Sequence, residues 1–125
     1  MNPKFTFAYV KRGNAYCEIS ENNEAISNYS SAIDLERRNI DVYFKRGMVY
    51  EREKRYKEAA GDYSTIIDID PKNSKAYYYR GDVNRTMNKM KEAIADYTKS
   101  ISLEATRASV FYSRGEVYRG KNKIE

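Results

Sequence analysis

Four glycines recur along the chain at a constant interval of 34 residues. They are Gly13, Gly47, Gly81 and Gly115, and an arginine precedes each of them. The segments around the glycines align without a gap: AYVKRGNAY (8–16), VYFKRGMVY (42–50), AYYYRGDVN (76–84) and VFYSRGEVY (110–118). Periods of about 20–50 residues are typical of repeat architectures. The sequence therefore predicts a chain built from copies of one small unit.

A second block follows the first in three of the four units. Its copies are NEAISNYSSAIDLE (23–36), KEAAGDYSTIIDID (57–70) and KEAIADYTKSISLE (91–104). Apolar residues recur at helical spacing in both blocks, as Val42, Tyr43, Val49 and Tyr50 do in one of them. Short polar joints separate the blocks, and Pro71 cannot continue a helix. Each unit is thus predicted to be two antiparallel helices joined by a tight turn, which makes the fold class all-α.

The recurring glycine lies in the middle of each first helix, where it costs roughly 0.5–1 kcal/mol relative to alanine. An alanine follows each of the first three glycines after twelve residues and a tyrosine after sixteen: Ala25, Ala59, Ala93, Tyr29, Tyr63 and Tyr97. We expect the glycine and the alanine to let the two helices approach closely, with the tyrosine filling the space further along. Overfilling such a contact typically costs about 1–3 kcal/mol, which outweighs the helix-propensity penalty.

This pattern resembles the tetratricopeptide repeat (TPR) family, whose unit also has 34 residues. The resemblance rests on an aromatic residue four before the glycine, the glycine itself, and the tyrosine three, alanine twelve and tyrosine sixteen residues after it. The chain departs from the pattern at Asn84, Arg37, Ala105, Ile66 and Ser100. Arginine precedes the glycine where leucine is usual, and we expect its stem to pack while its charged head stays in water. The pentatricopeptide family, which reads RNA, has a 35-residue unit and lacks this combination.

The resemblance implies a right-handed TPR superhelix with three helix-turn-helix repeats and a C-terminal single helix. The expected divisions are 1–5 as the end of a preceding repeat, 6–39, 40–73 and 74–107 as three repeats, and 108–125 as the first helix of a fourth repeat or a capping helix. Because this last segment keeps the full signature, we expect a longer array. Phe111, Val117 or Tyr118 would then be partly exposed and allow self-association through the C-terminal helix.

Composition excludes several classes of function. The 125 residues are 41% hydrophobic and 33% charged, and no apolar run is long enough to span a membrane. The N-terminus shows no secretory signal, which together with a single cysteine, Cys17, favours a cytoplasmic protein. Histidine is absent, which removes the commonest general base and metal ligand. We expect no enzyme activity, no cofactor and no metal site.

In the TPR family the first helices line a concave groove that binds an extended or helical peptide. The resemblance places the following residues in that groove: Lys11, Asn14, Phe44, Lys45, Met48, Arg52, Lys75, Tyr78, Tyr79, Asp82, Arg85 and Tyr112. Its expected centre is Phe44 with Lys45, beside Tyr78 and Tyr79 with Lys75. Aromatic residues flanked by charges are typical of a protein-binding hot spot. A generic lining, in a structural repeat with no ligand of its own, is the alternative.

Some TPR domains bind the C-terminal carboxylates of heat-shock chaperones with a clamp of five residues. At the five corresponding positions this chain has Val10, Asn14, Lys45, Lys75 and Tyr79, of which Asn14 and Lys75 match. A register shifted by one unit matches nowhere. We therefore do not expect this chain to bind a chaperone tail through the clamp.

RNA binding is the alternative from another class, and it would require a continuous positive track. The groove positions carry six basic residues, Lys11, Lys45, Arg52, Lys75, Arg85 and Arg119, against five acidic ones, Glu18, Asp41, Glu51, Asp82 and Glu116. The net charge of +5 therefore lies mostly elsewhere. This balance favours a protein or peptide partner over nucleic acid.

Overall fold

The computed structural model describes the backbone of residues 3–112 and the side chains of residues 4–107. This part of the chain forms six α-helices and contains no strand. They are α1 (Pro3–Glu18), α2 (Asn22–Leu35), α3 (Ile40–Arg52), α4 (Tyr56–Ile69), α5 (Ser74–Thr86) and α6 (Met90–Tyr112). The main contacts join consecutive helices. The predicted all-α fold of stacked helix pairs is confirmed, with first helices α1, α3 and α5 and second helices α2, α4 and α6.

The turn inside each pair has the same geometry in all three pairs. A non-glycine residue adopts a left-handed conformation just after each first helix: Ser20, Lys54 and Asn88, with φ of 61°, 60° and 65°. The next amide donates to a carbonyl five residues back, as Arg55 does to Tyr50 at 2.8 Å. This is the Schellman ending of a helix, and it reverses the chain within a few residues.

Each first-helix glycine lies against the tyrosine of its own pair. A Cβ added to Gly47 would lie 2.7 Å from Cε1 of Tyr63, and one added to Gly13 would lie 2.7 Å from Cε1 of Tyr29. Gly81 has the same relation to Tyr97, at 2.9 Å. The glycines thus permit close approach as predicted, but the tyrosine ring itself lies on the glycine instead of filling space further along the helix.

In the second and third pairs the arginine before the glycine turns its head inward, so the expectation of a head in water was wrong for Arg46 and Arg80, whereas Arg12 is exposed. Arg46 donates from Nε and Nη2 to the two carboxylate oxygens of Asp62, at 2.9 and 2.6 Å, and Asp62 is buried. A third bond runs from its Nη1 to Ser30 of the preceding second helix, at 3.0 Å. Burial raises the pKa of Asp62, and the bond from Arg46 opposes that rise. A buried carboxylate requires such a partner, which explains why the guanidinium turns inward.

The same arrangement recurs 34 residues later with Arg80, Asp96 and Ser64. Arg80 donates to the two oxygens of Asp96 at 3.0 and 2.8 Å and to Ser64 at 3.0 Å. Asn84, one of the departures from the repeat pattern, also donates to Asp96, at 2.9 Å. In the first pair Asn28 replaces the aspartate and accepts from Arg12 Nε at 2.5 Å.

The structure differs from the expected division at residue 107. Helix α6 continues to Tyr112 with no turn after the third pair. Ala105 stands where Pro71 ends the preceding pair, and residues 101–112 contain neither proline nor glycine. An ion pair between Arg107 and Glu104 also spans this region, at 3.2 Å. Because nothing breaks the helix here, it runs on. The remainder of the predicted final helix, including Val117 and Tyr118, lies outside the described residues, as does the side chain of Phe111.

Candidate protein-binding face

The first helices α3 and α5 bring an aromatic cluster together on one side of the stack. Phe44 lies 5.8 Å from Tyr79, edge to face, and Tyr79 is stacked on Tyr63 at 5.7 Å between ring centroids. Tyr78 continues the cluster, 5.6 Å from Tyr79 and 6.2 Å from Tyr97. These separations are those of favourable aromatic pairs. We call these five rings the aromatic cluster.

Phe44 and Tyr79 reach each other because they occupy neighbouring first helices at nearly the same level. Phe44 lies three residues before its glycine, and Tyr79 lies two residues before the next one. The close packing of Gly47 on Tyr63 places the Tyr63 ring between the helices, in contact with both Phe44 and Tyr79. The glycine–tyrosine contact therefore positions the aromatic cluster and also sets how closely the two helices of the pair pack.

A lysine lies over the cluster. Lys75 Nζ is 5.1 Å from the centre of the Phe44 ring and 5.7 Å from that of Tyr79. Lys75 is exposed, so the ammonium faces the solvent while the rings hold its position. Lys45, on the same helix as Phe44, pairs with Asp41 at 3.8 Å and is partly buried. The cluster thus presents aromatic rings with the Lys75 cation over two of them.

The tyrosines of the second helices reach polar groups of the first helices with their hydroxyls. Tyr29 donates to Asn14 at 2.5 Å, and Tyr97 donates to Asp82. The residue equivalent to Asn14 and Asp82 in the second pair is Met48, which offers no oxygen. Tyr63 donates instead to Glu51, one turn further along, at 2.5 Å.

These contacts change the acid–base properties of the face. Burial raises the pKa of Glu51, while the bond from Tyr63 lowers it and the charge of Asp82 raises it. Burial also raises the pKa of Tyr63, and the bond to Glu51 adds to the rise. Glu51 therefore binds its proton more tightly than a solvent-exposed carboxylate does.

The structure brings most of the predicted groove residues to this side, though not all into one group. Phe44 and Tyr78 each pack against Tyr79, and Lys75 lies over Phe44 and Tyr79. Asn14 and Asp82 are occupied by the tyrosine hydroxyls, Lys11 and Arg85 are exposed, and Met48 is about half exposed. Arg52 donates to the sulfur of Cys17.

Tyr112, the last predicted groove residue, lies in α6 (Met90–Tyr112), and its side chain lies outside the described residues.

The sequence reasoning did not assign Tyr63 and Tyr97 to the face, because it treated second-helix tyrosines as interior fillers. Their faces are packed against glycines, while their hydroxyls reach the first helices. The spacing of 15 residues in Asp82–Tyr97, which recurs in Asn14–Tyr29, is a signal that could have found Tyr97. It would not have found Tyr63, because Met48 occupies that spacing and the hydroxyl bonds to Glu51 instead.

Residues 3–112 contain no group of three or more histidine, cysteine or acidic side chains able to hold a metal ion. Within the same described range, no helix has the length and apolar character needed to cross a bilayer. The features of the face are its aromatic rings, its ion pairs and its hydrogen bonds.

Three family profiles match the chain. A profile described as TPR repeat matches residues 13–54, and two described as tetratricopeptide repeat match residues 40–73 and 74–107. Together they cover residues 13–107, and the chain belongs to the tetratricopeptide repeat family. No curated protein matches it.

Solved TPR structures are similar to this one. The structure of MamA is 29% identical with a TM-score of 0.79, over 83% of this chain and 61% of that one, so the chain spans about three fifths of its length. The first TPR of Spaghetti (RPAP3), bound to the HSP90 peptide SRMEEVD, is 26% identical with a TM-score of 0.76, over 84% and 83% of the two chains. The Arabidopsis OM64 TPR domain is 30% identical with a TM-score of 0.71, over 80% and 83%. The helix pairs therefore form a TPR solenoid.

Proposed function

We propose that this chain is a non-catalytic protein-interaction module of a larger scaffold or adaptor. In this proposal a segment of a partner protein lies along the first helices and contacts the aromatic cluster. The observation that carries the proposal is the cluster itself, since its five rings are in contact and its outermost member, Tyr78, is half exposed. Ordered aromatic surface beside charged groups is typical of binding hot spots.

The chemistry of the face suggests what the segment contains. An apolar side chain of the partner would pack on Tyr78 beside Tyr79 and extend the ring contacts. A carboxylate of the partner would pair with Lys75, whose ammonium is already held over two rings and loses little freedom on binding. Glu51 and Asp82 would repel a second carboxylate placed further along the face. We therefore propose a segment with one acidic and at least one apolar side chain.

A chaperone tail fits this face less well. The two TPR domains of Spaghetti (RPAP3) are each bound to the HSP90 peptide SRMEEVD. Here only Asn14 and Lys75 of the five clamp positions match, and Asn14 is engaged by the hydroxyl of Tyr29. We propose that the partner of this chain is not held by a two-carboxylate clamp. Titration of the peptide SRMEEVD into the chain tests this directly, and saturable micromolar binding would contradict it.

The proposal is tested by affinity pulldown with the chain and with the double variant Tyr78→Ala/Lys75→Glu. Both side chains are exposed, so the fold should persist, and loss of the specifically retained proteins is expected. The matched control is Lys57→Glu, the same charge reversal on the second helix α4, which should retain them. If the double variant retained all partners, the contact would lie outside this face and the proposal would be wrong. If the chain binds RNA instead, the retained ligand should be a nucleic acid, and its affinity should fall steeply as the salt concentration rises.

A further inference from the structure

The outer edge of the first helix α1 is open. Phe5, Ala8 and Arg12 are exposed and Tyr9 is partly buried. Together with Leu35 of α2 they line a cavity of about 410 Å³. We call Phe5, Ala8, Tyr9 and Arg12 the α1 edge.

The same edge is covered in the other first helices. The residues 34 positions after Ala8 and Tyr9 are Val42 and Tyr43, and both are buried. Ala76, a further 34 positions on, is buried too, while Tyr77 beside it is partly buried, as Tyr9 is. These residues are buried where α2 packs on α3 and where α4 packs on α5. The edge of a first helix is therefore built to be covered by a second helix.

At the other end of the described stack, one apolar face of the second helix α6 is exposed. It is the counterpart of the α2 face that packs on the next first helix. Ile94 and Ile101 are 63% and 68% exposed, whereas their counterparts in α2, Ile26 and Ile33, are 8% and 6% exposed. Helix α6 continues to Tyr112, about 16 Å beyond Ile101 at 1.5 Å per residue. The residues up to Tyr112 therefore do not fold back over this face, and we call Ile94, Thr98 and Ile101 the α6 face.

The polar contact that joins two pairs also has one of its two residues at each end of the described stack. The residue at the α6 end, Thr98, donates within its own helix to the Ile94 carbonyl at 2.7 Å and can still accept a hydrogen bond. Arg46 bonds to Ser30 and Arg80 bonds to Ser64, in both cases across the contact between two pairs. By the same period Arg12 on the α1 edge corresponds to these arginines, and Thr98 on the α6 face corresponds to these serines. No helix precedes α1 in the described part of the chain, where Arg12 bonds only within its own pair, to Asn28.

We propose that two copies of this chain stack head to tail, with the α6 face of one copy packed on the α1 edge of the next. The contact would repeat the arrangement of α2 on α3. Arg12 of one copy would donate to the Thr98 hydroxyl of the other, and Ile94 and Ile101 would be buried, as Ile26 and Ile33 are. The two surfaces differ, so the contact is heterologous and each copy keeps one free surface after pairing. Association therefore continues beyond the dimer as concentration rises.

Sedimentation equilibrium of the 125-residue chain over a wide concentration range tests the proposal. The average mass should rise past that of a dimer. The variants Ala8→Glu and Ile101→Glu each place a charge on one surface, and each should weaken self-association by about tenfold or more because the charge would be buried. Both residues are exposed in the single chain, so circular dichroism should be unchanged. Ile19→Glu, at an exposed isoleucine outside both surfaces, is the matched control.

The decisive experiment mixes the two variants. Ala8→Glu keeps a competent α6 face and Ile101→Glu keeps a competent α1 edge, so the equimolar mixture should form a heterodimer and nothing larger. A mixture that stays monomeric, while the unmodified chain associates, would overturn the proposal. A dimer unaffected by Ala8→Glu would do so as well, since it would show a symmetric contact. A chain that is monomeric at all concentrations would also overturn it.

Discussion

Gly47 shows how a single residue without a side chain sets the spacing of a helix pair. The Tyr63 ring occupies the place where a Cβ would be, and Tyr63 is fully buried. The ring cannot move away without losing its contacts with Phe44 and Tyr79 and its hydrogen bond to Glu51. At this position the helix-propensity cost of glycine is smaller than the cost of separating the two helices.

Replacing Gly47 by leucine should destabilise the chain by about 3 kcal/mol or more, because the new side chain overlaps a buried ring. Thermal unfolding followed by circular dichroism measures the change. The control is Gly61→Ala in α4, where an added Cβ meets no atom within 4 Å. That substitution should raise stability by about 0.5–1 kcal/mol through helix propensity. A Gly47→Leu melting temperature within a degree or two of the parent would refute the packing account.

The negative charge of Glu51 lowers the free energy of unfolding. Its pKa is raised by burial, so the folded state binds its proton more tightly than the unfolded state does. The free energy of unfolding contributed by Glu51 therefore decreases as the pH rises through the carboxylate range.

Glu51→Gln removes that titration and keeps an oxygen to accept from Tyr63. We expect the variant to be more stable than the parent at pH 7 and equal to it near pH 3, where Glu51 is protonated. Urea unfolding at the two pH values measures the difference. Glu18→Gln, at an exposed acid of α1, provides the comparison for a general loss of negative charge. A variant less stable than the parent at pH 7 would show that the ionised carboxylate is favourable.

At the scale of the elements, the turns inside the pairs are uniform although their sequences differ. Ser20, Lys54 and Asn88 all take the left-handed conformation that closes a Schellman motif. Glycine adopts this conformation without strain and asparagine tolerates it, whereas other L-residues pay about 1–2 kcal/mol. The repeat thus keeps the turn while accepting an unfavourable residue, Ser20 or Lys54, in two of the three pairs.

Lys54→Gly should therefore stabilise the chain by about 0.5–1 kcal/mol, because relief of the left-handed strain exceeds the added freedom of glycine in the unfolded chain. Chemical denaturation measures the shift in midpoint. Lys57→Gly, three residues later inside α4, should lower stability by about 0.5–1 kcal/mol. Equal effects of the two substitutions would contradict the role of the turn.

At the scale of the whole molecule, the described part of the chain is a one-dimensional stack in which each helix packs mainly on its neighbours. Two sets of contacts link neighbouring pairs: the ring contacts of the aromatic cluster, and the bonds from the arginines to serines of the preceding second helix. The serine bonds join one pair to the next, as Arg46 does with Ser30 and Arg80 with Ser64. A stack of this kind leaves an open surface at each end of the described residues, and those surfaces are the basis of the head-to-tail proposal.

The sequence predicted the helix pairs because a 34-residue period and helical apolar spacing are local properties that need no knowledge of distant contacts. It also identified the glycines on which the helix pairs close, while the groove residues stay a prediction. It did not predict that α6 continues past residue 107, because the repeat period favours a new helix there although residues 101–112 contain no proline or glycine to stop the old one.

By itself, then, the sequence determined the repeating unit, its two helices and the glycine on which each pair closes. Only the tertiary structure decided which atoms meet across helices: Arg46 with Asp62 and Ser30, Tyr63 with Glu51, and Lys75 with Phe44. The physical reason is range. Helical periodicity is specified by neighbours within a few residues, whereas the partner of a buried charge or a tyrosine hydroxyl depends on which group the close packing of two helices brings within hydrogen-bonding distance.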